Sequence, residues 1–252
     1  MSILRVNEIR SQAGTTIEVP SGYSLKLDQT TLDTNSLPPP ISGNSGKFLK
    51  SDGTNIGWES VGPNSIVTFT GNGTYYPSAG VTKVWVKLVG GGGAGSGVGE
   101  CGGAGGYAEK MISMVGVSQV SITIGLGSTA STQYPSAAGA GGTTSFGSYL
   151  SATGGRGGNS SHQHCGGYGG VGSGGDVNLY GGGGPGHQYW AGPTGGASYF
   201  GGSGPSGYPN GGTYAKNNSA FAAYGAGGAA GYHSQQQGAF GKDGVVVIWE
   251  FK

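Results

Sequence analysis

Glycine recurs at every third position in long internal stretches of this chain, and that spacing restricts what the chain can fold into. The run C-G-G-Y-G-G-V-G-S-G-G places Gly166, Gly169, Gly172 and Gly175 three residues apart, and shorter repeats of the same spacing occur elsewhere. Glycine inside a helix costs up to about 1 kcal/mol per residue relative to alanine. An ordinary α/β enzyme fold is therefore not expected.

The three-residue spacing matches polyproline II, which has three residues per turn, so that such glycines line one edge of the helix. An edge without side chains allows neighbouring backbones to approach closely. Polyproline II forms no internal hydrogen bonds, so its N–H and C=O groups must find partners in adjacent segments. The spacing predicts a packed bundle of polyproline II helices with these four glycines at the contacts. Irregular glycine-rich loops on a β-sandwich are the alternative.

Composition excludes several classes of protein. Glycine accounts for 60 of the 252 residues, and 49 of these lie between residues 90 and 242. Charged residues make up 9% of the chain and the net charge is +1, so no nucleic-acid partner is expected. No apolar run approaches the roughly 20 residues that span a bilayer, so membrane insertion is not expected either. The two cysteines are too few for a disulfide scaffold.

Alternating apolar residues predict strands at both ends of the glycine-rich stretch. The segments 65–70, 82–89 and 119–124 carry this pattern, with Val84, Val86 and Leu88 expected on one face. Residues 245–251 form a nearly continuous apolar run, which predicts a buried central strand. The fold class is therefore predicted to be mainly β. A distal domain, residues 63–252, would consist of a strand frame (63–90 and 243–252) around a glycine-rich insert (90–242).

Residues 1–62 differ from the rest of the chain. Ile17, Val19, Leu25 and Leu27 alternate with polar neighbours and predict short strands, and the prolines of 38–40 predict an extended linker. This region has too few apolar residues for a core of its own. We expect a partner chain or a larger assembly to supply the missing contacts; a disordered tail is the alternative.

The chain lacks the residue patterns of common catalytic and cofactor sites. The run Gly90–Gly95 has neither the terminal Gly-Lys-Ser/Thr of a phosphate loop nor a following helix. His162, His164 and Cys165 provide three candidate metal ligands where a closed zinc site needs four. Carboxylates are scarce in the insert. The sequence predicts no enzyme activity, no cofactor and no metal site.

Binding is the remaining function class, and the residues suited to it interrupt the glycine repeats. Aromatic side chains act as rigid anchors, and amides and imidazoles supply hydrogen bonds. The alternative is that the aromatic side chains fill gaps between glycine segments. The receptor-binding candidates are His187, Gln188, Tyr189, Trp190, Tyr208, Asn210, Tyr214, Asn217 and Asn218, with His162, His164, His233 and Gln235 as a second set.

Three stretches resemble bacteriophage tail-fibre and receptor-binding proteins, in particular those of marine and cyanobacterial phages. The opening M-S-I-L-R-V-N-E-I-R-S-Q-A-G-T-T-I-E-V-P-S-G is similar to the start of such fibres, and G-K-F-L-K-S-D-G-T-N-I-G-W-E (46–59) is similar to a motif that precedes a distal domain. The segment V-T-F-T-G-N-G-T-Y-Y-P-S-A-G-V-T-K-V-W-V-K-L-V-G-G-G-G (67–93), with D-G-V-V-V-I-W (243–249), resembles their glycine-rich terminal domain.

The resemblance implies a virion fibre that attaches the phage to its host through loops between stacked polyproline II helices. It implies a host-surface receptor, either a glycan or an outer-membrane protein, as one partner. Residues 1–62 would be a connector that trimerises and binds other virion proteins. The protein would be made in the host cytoplasm. A structural fibre or connector of the tail or capsid, without a receptor of its own, is the alternative.

Overall fold

A computed structural model of the chain describes residues 25–27, 30–32, 43–45, 47–51, 56–60, 62–97, 100–129, 136–159, 166–186, 194–203, 222–231 and 238–252. The regular structure of these residues is entirely β-strand, with no helix among them, and the sheets are antiparallel. The prediction of a mainly β fold is confirmed. The chain divides into two compact units, Met1–Gly62 and Pro63–Lys252.

The described part of the first unit contains two antiparallel hairpins. One pairs β1 (Leu25–Leu27) with β2 (Thr30–Leu32), and the other pairs β3 (Lys47–Ser51) with β4 (Ile56–Ser60). The predicted strand at Leu25 and Leu27 is therefore present, whereas Ile17, Val19 and the prolines of 38–40 lie outside the described residues.

The second hairpin of this unit has an exposed surface. Phe48, Leu49 and Ile56 are each 40% exposed or more. Lys50 forms an ion pair with Glu59 across the two strands, with the Nζ and Oε2 atoms 2.6 Å apart. None of the described residues of β3 and β4 is buried, so this hairpin contains no core of its own.

The second unit contains two five-stranded sheets. The first sheet has the strand order β13-β8-β7-β14-β5 and the second β12-β11-β10-β9-β6. The strands are β5 (Ser65–Phe69), β6 (Gly73–Tyr75), β7 (Lys83–Val89), β8 (Tyr107–Ser113), β9 (Val120–Thr123), β10 (Thr144–Phe146), β11 (Leu150–Ala152), β12 (Gly172–Ser173), β13 (Val177–Leu179) and β14 (Val245–Phe251).

The two sheets pack face to face around one hydrophobic core. Val84, Val86 and Leu88 of β7 are fully buried in it, as their alternation predicted. The second sheet contributes Ile122 and Phe146. The two ends of the unit meet in the first sheet, because β14 lies between β7 and β5. The outer face of β14 is only half-buried, whereas its nearly continuous apolar sequence predicted a fully buried strand.

Ten glycine-containing segments of the described chain form neither strand nor helix, and they hydrogen-bond to one another. We call them the glycine rods, and together the bundle. Three of them directly continue or precede strands of the first sheet, so the bundle begins at the end of that sheet. The rods are residues 90–96, 101–106, 124–129, 137–143, 153–159, 166–171, 181–186, 194–197, 225–231 and 238–244.

The hydrogen bonds of the 90–96 rod repeat every three residues. The N–H groups of residues 90–92 donate to three different rods, and those of residues 93–95 donate to the same three rods in the same order. Gly90 and Gly93, for example, both donate to the 101–106 rod. The carbonyl groups of this rod accept hydrogen bonds from three further rods, and carbonyls three residues apart accept from the same rod. The donor bonds go to rods 101–106, 137–143 and 238–244, and the acceptor bonds come from rods 124–129, 153–159 and 225–231.

This period equals the three residues per turn of polyproline II, and it surrounds the 90–96 rod with six neighbours. The glycines allow the required approach. A Cβ on Gly169 would lie 1.8 Å from the carbonyl oxygen of Gly181, and one on Gly166 would lie 2.1 Å from that of Gly184. Two glycines three residues apart therefore face the same neighbouring rod.

The glycine repeat extends beyond the rod in which it begins. The 166–171 rod ends at Val171, after which Gly172 belongs to β12. Gly175 lies in the bend before β13, and a Cβ there would lie 2.7 Å from the carbonyl oxygen of Glu109. The following residues include β13, because Val177–Leu179 pairs with β8.

Candidate functional site

All thirteen receptor-binding candidates lie outside the described residues. They are His162, His164, His187, Gln188, Tyr189, Trp190, Tyr208, Asn210, Tyr214, Asn217, Asn218, His233 and Gln235. The described residues on either side of each candidate segment nevertheless show where that segment leaves the bundle and where the chain returns to it.

One end of the bundle adjoins the sheets and the other lies opposite them. The 90–96 rod leaves β7 at Gly90, and its opposite end is marked by Ser96, whose N–H donates to the carbonyl of Glu100. Gly231 donates to Ser96 at this same level, and Gly158 donates to Ala94 one turn before it. We call this the far end of the bundle.

Successive rods are joined at the far end. The chain leaves a described rod there and returns to the next through the segments 98–99, 130–135, 160–165, 187–193 and 232–237. Eight of the thirteen candidates belong to three of these segments. The other five, from Tyr208 to Asn218, belong to 204–221, whose described flanks lie near the first sheet because Ala223 donates to Gly202 and Gly225 donates to Asp243.

The described aromatic residues are divided between core and surface. Tyr75, Tyr107 and Phe146 are fully buried, whereas Tyr168 and Tyr180 are 65% and 78% exposed. Tyr199 stacks on Tyr107 with ring centroids 3.6 Å apart. Some described aromatic residues therefore fill the core and others are exposed, while the aromatic binding candidates lie outside the described residues.

A groove runs along the side of the bundle. Its volume is about 310 Å³, and it is lined by the 137–143, 153–159 and 166–171 rods. Arg156, Asn159 and Tyr168 are its polar and aromatic side chains, and no carboxylate is among the described lining residues. Sequence reasoning missed this site, because Arg156 is an isolated charge inside a glycine repeat and nothing local indicates a groove.

Burial and hydrogen bonding shift the pKa values of several ionisable groups of the framework, among them Glu250 and Cys101. Burial opposes ionisation of the Glu250 carboxyl, but hydrogen bonds from Ser65, Tyr75 and Ser78 outweigh it and lower the pKa of this group to about 2. Burial also raises the pKa of the Cys101 thiol to about 12, although the N–H of Ala230 donates to its sulfur.

The described part of the chain shows no grouping of three or more His, Cys, Asp or Glu residues that could bind a metal ion. It also includes no helix of the length and hydrophobicity needed to cross a membrane. The described residues offer a hydrogen-bonded backbone framework and a polar groove.

The interlocked strands and rods of the second unit coincide with a region that a known family model matches. The model described as a glycine-rich domain matches residues 67–249, from β5 to β14. The chain belongs to this glycine-rich domain family. The matched region contains both sheets and all ten rods, so the bundle is part of the domain itself. A comparison with curated proteins finds no match.

Proposed function

We propose that this glycine-rich domain protein is a bacteriophage virion fibre that attaches the particle to its host cell. The observation that carries the proposal is the joining of successive rods at the far end of the bundle. Segments rich in histidine, tyrosine, tryptophan and amides therefore begin and end on described rods that backbone hydrogen bonds hold together. The opening residues and residues 46–59 resemble phage fibres, and this resemblance supports the proposal that the protein belongs to a virion.

The framework suits a surface that must discriminate between ligands. Glycine rods offer mainly backbone groups, so selectivity has to come from side chains between them. Loops on a rigid scaffold accept sequence change at little cost in stability. In this proposal the partners are a host glycan or outer-membrane protein at the far end and other virion proteins at residues 1–62, and the chain has no enzymatic role.

The test compares binding of the fluorescently labelled full chain to a panel of bacterial strains. Trp190→Ala is the informative variant, because truncating a tryptophan at an interface centre commonly costs about 2 kcal/mol or more. Tyr180→Ala is the matched control, since Tyr180 is an exposed aromatic residue next to the sheet end of the 181–186 rod. We expect Trp190→Ala to lose cell binding with an unchanged melting temperature, and Tyr180→Ala to bind normally.

A lower melting temperature for Trp190→Ala, with full binding by the folded fraction, would assign Trp190 to the framework. If the wild-type chain binds no strain and electron microscopy places it on the particle away from any contact with the host, the protein is a structural fibre or connector and the attachment proposal is wrong.

A further inference from the structure

The groove on the side of the bundle lies along a rod that has fewer neighbours among the described residues than the 90–96 rod has. The N–H groups of Gly155 and Gly158 donate to the 90–96 rod, and those of Thr153 and Arg156 donate to the 166–171 rod. The carbonyls of these four residues accept from the 137–143 and 101–106 rods. The 153–159 rod thus has four described neighbours, whereas the 90–96 rod has six.

The three-residue period identifies the side of the 153–159 rod that has no hydrogen-bonded neighbour among the described residues. One residue in three of the 153–159 rod faces this side, namely Gly154 and Gly157. Neither their N–H nor their C=O groups have a hydrogen-bond partner among the described residues. Both glycines are half-buried, and Gly157 lines the groove together with residues of the 137–143 and 166–171 rods. The groove therefore offers one donor and one acceptor from the backbone at its floor.

The side chains around this floor determine which ligand the groove fits. Arg156 is exposed and forms no ion pair or hydrogen bond through its guanidinium with any described residue. Its planar fork matches a carboxylate or a phosphate. Tyr168 lines the groove and is 65% exposed, so its ring is accessible for stacking. A volume of about 310 Å³ is at the small end of the range for ligand sites.

We propose that this groove binds a saccharide carrying a carboxylate or phosphate group. The anionic group binds the Arg156 guanidinium, the C–H face of the sugar ring packs on Tyr168, and the sugar hydroxyls exchange hydrogen bonds with the N–H and C=O of Gly157. The inference rests on the proposed function and deepens it by naming the ligand class of one contact site. That site lies on the side of the bundle next to its far end, since Asn159 and Gly166 both line the groove.

The test is an NMR titration of the full chain with three matched sugars: glucose, glucuronate and glucose 6-phosphate. We expect glucuronate or glucose 6-phosphate to shift the Gly157 amide, with an affinity at least about tenfold above that for glucose, as a charge-assisted hydrogen bond requires. The more strongly bound of the two acidic sugars identifies the source of the anionic group. Absence of any shift at Gly157 with both acidic sugars would overturn the proposal.

Variants separate the groove from general charge effects. Arg156→Gln should weaken binding of the acidic sugar by about tenfold or more, Arg156→Lys by less, and Tyr168→Phe should bind better than Tyr168→Ala. Lys83→Gln is the control, because Lys83 is an exposed cation of β7 outside the groove. A lower melting temperature for Arg156→Gln, or equal weakening by Lys83→Gln, would contradict the proposal.

Cell binding distinguishes this inference from the proposed function. If the wild-type chain and Arg156→Gln bind bacterial cells equally well while glucuronate and glucose 6-phosphate leave Gly157 unshifted, the groove proposal fails and attachment stands. If no strain is bound but an acidic sugar binds in an Arg156-dependent way, the groove is a saccharide site and the attachment proposal fails.

Discussion

At the scale of single residues, Glu250 shows how this fold handles a buried charge. Its side chain is fully buried, and Ser65, Tyr75 and Ser78 donate hydrogen bonds to its carboxylate. These donors belong to β5, to β6 and to the segment after β6, while Glu250 belongs to β14. One carboxylate thereby ties together the two sheets at the end of the chain.

The lowered pKa of Glu250 predicts an acid-sensitive contribution to stability. A carboxyl with a pKa near 2 in the folded state and about 4.5 when unfolded stabilises the fold fully above pH 4.5. That contribution, roughly 3 kcal/mol, is lost as the pH falls from 4.5 towards 2. We expect Glu250→Gln to lower the free energy of unfolding at pH 7 by about 2 kcal/mol or more and to flatten the pH dependence in that window, as measured by chemical denaturation.

Glu59→Gln is the control for Glu250→Gln, because Glu59 forms an ion pair on the exposed hairpin and such pairs contribute at most about 1 kcal/mol. If the two variants had the same stability and the same pH profile, the Glu250 network would not hold the sheets together.

At the scale of elements, the sequence predicted those strands and rods whose residues repeat with a clear period. Alternation predicted β5, β7 and β9, and the continuous apolar run of 245–251 predicted β14. The three-residue glycine spacing predicted rods that pack edge to edge. The sequence did not predict β8 or β13, because Glu109 and Lys110 interrupt the apolar pattern of β8, and Val177–Leu179 becomes a strand only by pairing with β8. The sequence did not predict the groove either, since the groove depends on which described rods lie beside 153–159.

Close packing of the rods predicts that neighbouring glycines within one rod tolerate substitution very differently. A Cβ on Gly184 would lie 2.4 Å from the carbonyl oxygen of Cys101, whereas a Cβ on Gly183 would have its nearest neighbour at 3.7 Å. We expect Gly184→Ala to lower the free energy of unfolding by about 2 kcal/mol or more, because the rods must separate and lose hydrogen bonds.

Gly183→Ala is the control one residue away, and we expect it to leave the free energy of unfolding unchanged to within about 0.5 kcal/mol. Both variants are measured by chemical denaturation of the full chain. Equal stability of Gly183→Ala and Gly184→Ala would mean that this segment does not pack as a rod.

At the scale of the whole molecule, the first unit needs contacts that its described residues do not provide. The β3–β4 hairpin exposes Phe48, Leu49 and Ile56, and its described strand residues include no buried side chain. The trimer suggested by the resemblance to phage fibres would cover such a surface. It remains a prediction.

Native mass spectrometry of the full chain checks the trimer. We expect three times the chain mass of 24.8 kDa, and we expect Leu49→Asp to shift the population towards monomer because a charge would be buried in the interface. Lys47→Asp, a change at an exposed residue of the same strand, is the control for added negative charge. A stable wild-type monomer at micromolar concentration would contradict the assembly.

The bundle itself is tested most directly by amide hydrogen exchange, measured residue by residue with NMR. The three-residue hydrogen-bond period predicts that within the 153–159 rod the amides of Gly155, Arg156 and Gly158 are strongly protected, while those of Gly154 and Gly157 exchange rapidly. Equal exchange at all five amides, whether fast as in an unstructured chain or uniformly slow, would contradict a bundle of three-residue-per-turn rods with one open side.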